Sequence, residues 1–177
     1  MTIDTKLLDW LLDSDPSLRW RVERDLAGAA EREWQQTRAR VETEGFGAEL
    51  LSHQGADGQW AGGAYFPADF DFEGPEAAEG AGQPWTATTW TLNTLRDFGL
   101  DASALSGTAA KLAANSRWEY DQLPYWDGEV DCCIHAFTLA NGAWLGADVR
   151  RLAEWLPKHQ LPDGGWNCEW VDGSTRS

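Results

Sequence analysis

The sequence predicts an all-α protein built from helical hairpins, and three observations carry that expectation. The first is a phrase used twice. His53-Gln54-Gly55-Ala56-Asp57-Gly58-Gln59-Trp60 and His159-Gln160-Leu161-Pro162-Asp163-Gly164-Gly165-Trp166 share His, Gln, Asp, Gly and Trp in register, and repetition at long period marks helical-repeat arrays. The second is an internal alignment. Phe98-Gly99-Leu100-Asp101 matches Leu145-Gly146-Ala147-Asp148 at an offset of 47 residues, each with a glycine suited to stop one helix and an aspartate suited to start the next. The third is apolar residues at helical spacing over 5–13 and from Leu18 to Leu26.

Each element follows from local chemistry. Leu7, Leu8, Leu11 and Leu12 share one face of a helix over 5–13. Asp15 reads as an N-cap with Pro16 in the first helical position. Leu18, Val22 and Leu26 then recur at i, i+4 and i+8, with Arg19, Arg21, Glu23 and Arg24 mostly outward. Residues 31–53 predict one or two helices broken near Gly45 and Gly47, closed by the first phrase. Residues 61–83 are rich in Gly, Pro, Ala and acids, with Tyr65, Phe66, Phe70 and Phe72 interleaved. They predict a long loop, the kind that is often functional in a compact domain. Within it Asp69-Phe70-Asp71 is an acidic pair or a solvated turn. Two hairpins follow, with helices near 85–99 and 102–116, then 129–145 and 149–160. Their loops carry Trp118, Trp126 and Trp166. Two helices per unit and a period in the high forties describe a stacked array or a closed toroid. In the repeated phrase, Asp-Gly makes the turn, Gln is expected to reach exposed backbone carbonyls of a neighbouring repeat, and Trp packs back on the helix ends, so that the phrase stitches repeat to repeat.

At 177 residues and 42% apolar content, the chain is expected to form one globular domain over 1–177. A formal net charge of −15 leaves no basic stripe for phosphates, so nucleic acid is not an expected partner. Acidity on this scale keeps a protein soluble. No stretch approaches the length of a membrane span. Met1-Thr2-Ile3-Asp4 lacks the basic start and apolar run of a leader. Three cysteines, Cys132, Cys133 and Cys168, are an odd set with two adjacent, which reads as reduced thiols in a cytoplasm. Twelve tryptophans either staple helix ends or line an apolar cavity.

The Gln-x-x-Asp-Gly-x-Trp phrase resembles the QW motif of squalene cyclases and related terpenoid cyclases, whose α/α-toroid fold is shared by the protein prenyltransferase β subunits. The stretch from Asp15 to Leu26 is similar to the opening of bacterial proteins labelled squalene cyclase-like or prenyltransferase-like. So are Asp127–His135, the Leu139-Ala140-Asn141-Gly142 segment and Asp163–Glu169. The resemblance implies helical-hairpin repeats of an α/α toroid. A closed ring needs about six hairpins, or roughly 300 residues at usual helix lengths. The chain is therefore expected to supply about half, as an incomplete (α/α)6 barrel or arc. It continues beyond Ser177, stays open, or is completed by a second copy. An open arc exposes apolar faces and predicts a homo-oligomer.

The resemblance also implies chemistry. The leading expectation is a terpenoid cyclase-like protein that binds or cyclises an isoprenoid in an apolar, Trp-lined cavity. Trp85, Trp90, Trp126, Phe137 and Trp144 are its candidate lining, by cation–π contact with carbocations, or else they are helix–helix core. Squalene-type cyclisation uses an Asp-x-Asp-Asp acid, which this sequence lacks. Asp127, Glu129 and Asp131 are the nearest acidic cluster, or else favourable charge at a helix start. No diphosphate-ionising Asp-Asp-x-x-Asp, Gly-rich phosphate loop, GxSxG or HExxH occurs. The alternative is zinc-dependent prenyl transfer to a thiol. In the prenyltransferases an Asp-x-Cys at the start of an inner helix supplies two zinc ligands and a later His the third. Asp131 and Cys133 match that pair, and His135, at i+4 from Asp131, is the local candidate for the third. His135 reads equally as a packed histidine. A third expectation is a non-catalytic half-toroid scaffold that self-associates.

Overall fold

A computed structural model of the chain describes residues 3–78, 84–128, 131–167 and 176–177, and every regular element in them is helical. The helices are α1 (Thr5–Leu12), α2 (Pro16–Asp25), α3 (Glu31–Ala39), α4 (Gly45–Ser52), α5 (Pro75–Ala78), α6 (Thr88–Phe98), α7 (Thr108–Asn115), α8 (Cys132–Leu145) and α9 (Arg150–Lys158). Short 3-10 turns lie at Arg40–Glu42, Pro84–Thr86, Ala102–Leu105 and Tyr125–Asp127. The all-α class read from the sequence holds among the described residues, where pairing outside helices is confined to isolated bridges such as Trp60 with Gly63. No described helix is long and apolar enough to cross a membrane. The chain divides into two compact units, Met1–His53 with Thr94–Ala104, and Gln54–Asn93 with Leu105–Ser177.

In the first unit Asp15 governs two helix starts. Its Oδ1 accepts the Ser17 amide at 2.9 Å, which caps α2 ahead of Pro16. Its Oδ2 accepts the Phe46 amide at 2.9 Å, in the first turn of α4. Gly45 has φ +62, and a Cβ there would collide with this carboxylate. The break expected near Gly45 is thus a glycine that lets one aspartate serve two helices. Trp20 is buried, and its indole N–H donates to the Phe98 carbonyl at 2.8 Å, at the end of α6. Arg38 Nε reaches the Gly99 carbonyl at 2.6 Å, and Arg21 the Asp97 carbonyl. Three consecutive carbonyls at a helix C-terminus, the negative end of its dipole, are therefore met by an indole and two cations. Gly99, at φ +87, lies under the Trp20 ring, leaving no room for a Cβ.

In the second unit the long loop is tied to the start of α6. Thr88 donates its amide and its hydroxyl to the Gly63 carbonyl, at 3.1 and 2.6 Å. Thr89 does the same to Ala64, at 2.9 and 2.8 Å. Both threonines are fully buried. The loop thus supplies the acceptors that the first amides of a helix otherwise lack. The expected helix over 102–116 is interrupted by Gly107 (φ +84), so a 3-10 turn precedes α7. Gly146 (φ +73) ends α8 as expected. Asp148 accepts the Arg150 amide at 3.3 Å and ion-pairs with its guanidinium.

The two copies of the repeated phrase fold alike. Gly58 and Gly164 have φ of +91 and +89. Gly55 N–H bonds the Gln59 carbonyl at 2.7 Å, and Leu161 N–H bonds the Gly165 carbonyl at 2.9 Å. Asp57 and Asp163 each accept the amide two residues on, at 3.0 and 3.1 Å. Gln54 and Gln160 each donate to the carbonyl of the phrase's own glycine, at 3.1 and 2.7 Å. The phrase is a turn that closes on itself.

Burial pushes the Asp15 carboxyl up, but the hydrogen bonds from Ser17 and Phe46 outweigh it and hold the group below its ordinary value of 3.8. A depressed carboxyl stabilises the fold above its unfolded value, and this stability is lost as pH falls through the lower folded value. Asp15→Ala is expected to cost about 1–2 kcal/mol in urea unfolding at pH 7 and less below pH 3. An equal loss at both pH values would refute the double cap.

Candidate functional site

A connected set of aromatic rings occupies the second unit. Tyr65 and Phe66, at the base of the long loop, are fixed by Glu119, whose Oε1 accepts their amides at 2.8 and 3.1 Å. Tyr65 meets Trp90 of α6, with centroids 4.9 Å apart. Trp90 in turn meets Trp85 edge-on at 4.7 Å and Phe137 of α8 at 5.9 Å. On its other side Tyr65 lies 6.5 Å from Trp118, which stacks on Tyr125 at 5.1 Å and 6°. Tyr125 meets Trp126 edge-on at 4.8 Å. Phe66 meets Tyr65 edge-on at 5.2 Å and forms a triangle with Phe70 and Phe72, centroids 4.7–5.1 Å apart, and Phe72 touches Tyr120.

The set grades from core to surface. Trp118 and Tyr125 are fully buried, Trp126 is buried, Trp90 and Phe137 are half-buried, and Trp85 is 57% exposed. Indole N–H groups anchor the buried end, Trp118 on the Tyr125 carbonyl and Trp126 on the Ala109 carbonyl, both at 2.9 Å. The Tyr125 hydroxyl lies 2.9 Å from the Thr89 hydroxyl. Burial drives the tyrosine's ionisation well above its ordinary value, which the Thr89 bond only partly offsets. The phenol is neutral and works as a packed, hydrogen-bonded ring.

Of the five residues expected to line a cavity, Trp85, Trp90 and Phe137 make ring contacts with one another or through Trp90, and Trp126 joins by way of Tyr125 and Trp118. Trp144, half-buried on α8, makes no ring contact among the described residues. Tyr65, Trp118 and Tyr125 were not singled out from the sequence, yet they connect the set. The aromatic content of the long loop was the available signal for Tyr65. The stacking of Trp118 on Tyr125 depends on a loop closure with no local signature.

The acidic and thiol-bearing segment follows Trp126 directly and runs into α8, which also carries Phe137. Asp127 sits in the 3-10 turn with its Oδ2 3.0 Å from Arg151. Beside it an open cavity of about 350 Å³ is lined by Trp126, Asp127, Asp148, Arg150, Arg151 and Glu154. There the Arg150 hydrogen bond holds the Asp148 carboxyl down to about 2. Glu129 lies outside the described residues, as does Cys168. Asp131 precedes α8 in extended conformation, and its carbonyl accepts the His135 amide at 3.0 Å. Cys132 and Cys133 are half-buried thiols in the first turn of α8. The His135 ring is buried and stacked on Trp155 at 4.1 Å, and Trp155 stacks on His159 at 3.8 Å. No three His, Cys, Asp or Glu side chains gather to hold a metal ion among the described residues. Asp131, Cys133 and His135 are all described. They share one end of α8, and the imidazole packs against an indole.

Comparisons with known proteins add no relationship: no family model matches this chain, and searches of curated proteins and of solved structures return no match.

The Tyr125–Thr89 bond gives a direct test of the buried end. Tyr125→Phe is expected to lower unfolding free energy by about 1 kcal/mol, since Thr89 keeps its bond to Ala64. A change below a few tenths would show that the phenol hydroxyl contributes nothing there.

Proposed function

We propose that this chain is a terpenoid cyclase-like half-toroid that binds an isoprenoid along the aromatic set running from Trp85 through Trp90 to Phe137. The observation that carries the reading is the gradation of those rings. An exposed indole leads to half-buried rings, which suits a flexible apolar chain. The resemblance of the repeated phrase to the QW motif supports the same class, and fold-level likeness alone assigns no reaction. Cyclisation begun by Asp127, Glu129 and Asp131 is the catalytic form of this reading.

The test is saturable binding of farnesol, geranylgeraniol and squalene, followed by calorimetry and by quenching of tryptophan emission. Trp90→Ala is expected to weaken binding about tenfold or more, given roughly 1.5–3 kcal/mol for a buried large apolar side chain. Trp10→Ala, far along the chain in the first unit, is expected to leave it unchanged. Absence of saturable binding, or equal loss in both variants, would sink the reading. If products form, Asp131→Asn is expected to abolish turnover while leaving isoprenoid binding intact.

A further inference from the structure

The long loop carries a second group of rings, outside the set assigned to the isoprenoid. Phe66, Phe70 and Phe72 pack on one another, and Tyr120 reaches Phe72 with centroids 6.0 Å apart. Phe72 is 46% exposed and Tyr120 is 69% exposed. Aromatic surface gathered in this way marks a place where something docks. The rim of the patch is acidic. Asp69, Asp71 and Glu73 alternate with Phe70 and Phe72, Asp121 follows Tyr120, and all four are exposed. None of the four enters an ion pair among the described residues. No lysine or arginine occurs between Arg40 and Arg96. Arg117, three residues before Tyr120, is turned to the carbonyls of Ala113 and Ser116, at 3.3 and 2.7 Å.

We propose that this patch docks an arginine-bearing basic segment of a partner protein, its guanidinium planes lying on the Phe72 and Tyr120 rings and its N–H groups meeting the rim carboxylates. Charge complementarity selects a cation, and the arrangement of the rings selects arginine. The rings lie against one another, with centroids 4.7–6.0 Å apart, which leaves no gap in which to cage a quaternary ammonium. What they offer is their outer faces. A planar guanidinium stacks on such a face, whereas a lysine ammonium is a compact, strongly hydrated point charge. A guanidinium held by its plane keeps its N–H fork free for carboxylates. The chain makes the same contact within its first unit, where the guanidinium carbons of Arg21, Arg24 and Arg38 lie 5.2, 4.8 and 5.8 Å from the Trp20 ring centroid.

Fluorescence anisotropy tests this with two labelled probes, a hexapeptide of alternating glycine and arginine and its lysine counterpart. The arginine peptide is expected to bind saturably, and several-fold more tightly than the lysine peptide. Joint Phe72→Ala and Tyr120→Ala substitution is expected to weaken it about fivefold or more, the worth of two cation–π contacts at exposed rings. Tyr120→Phe, which keeps the ring, is expected to leave it intact. Asp69→Asn with Asp71→Asn is expected to weaken binding and flatten its salt dependence. Asp9→Asn with Asp13→Asn removes the same charge from α1 and is expected to change nothing. Circular dichroism confirms that each variant keeps its helices. Equal binding of the two peptides, indifference to loss of both rings, or equal loss in the α1 variant overturns the proposal, because the attraction is then that of the whole surface, at net charge −15. Self-association in sedimentation velocity that loss of both rings abolishes also overturns it, because the occupant is then a second copy of this chain.

Discussion

A backbone carbonyl at a helix end or in a loop costs free energy when it is buried without a donor, and among the described residues four tryptophans answer such carbonyls. Trp20 donates to the last turn of α6, Trp166 to the Leu156 carbonyl in α9, Trp126 to Ala109 in α7 and Trp118 to the turn at Tyr125. Each indole contributes a large apolar ring and one N–H, so a single side chain both packs and satisfies. That role is taken by four of the twelve tryptophans. The constraint explains why short helices suffice, since their ends are held by partners distant in sequence.

Where a signal was local, the sequence was legible. Asp15 with Pro16, Gly99 and Gly146 each announce a helix boundary through the conformation they allow, and the structure places them there. The repeated phrase was legible as a turn because Asp, Gly and Trp act within eight residues. The second bond of Asp15, to Phe46, was not, because it spans 31 residues. The threonine caps of α6 were missed for the same reason: their acceptors lie in a loop 25 residues earlier. Gly107 is a subtler case, since the helix expected over 102–116 rests on alignment with the neighbouring repeat, where the left-handed glycine that breaks it has no counterpart.

The candidate site divides along similar lines. Trp85, Trp90 and Phe137 came forward as cavity lining implied by the resemblance, and the structure brings their rings into contact. Tyr65 and Trp118, which join them to Tyr125, arrive from loops, where no periodicity marks a shared face. The segment from Asp127 to His135 drew notice through residue types suited to acid or metal chemistry. In the structure Asp127 pairs with Arg151 and the His135 ring stacks on Trp155. Residue type at the right spacing indicates what a segment is able to do, whereas neighbouring elements decide how each side chain is used.

The pinning of Gly63 and Ala64 to Thr88 and Thr89 has a topological consequence. The stretch between 65 and 87 leaves and returns at one place, and its base is closed by buried hydrogen bonds to two successive threonines. A polypeptide cut within that excursion would leave two pieces that still recognise each other through the same knot of carbonyls and hydroxyls. The excursion is thus the natural place to open the chain: fragments joined there by complementation, new termini made by circular permutation, or an inserted domain would each leave the helical frame intact.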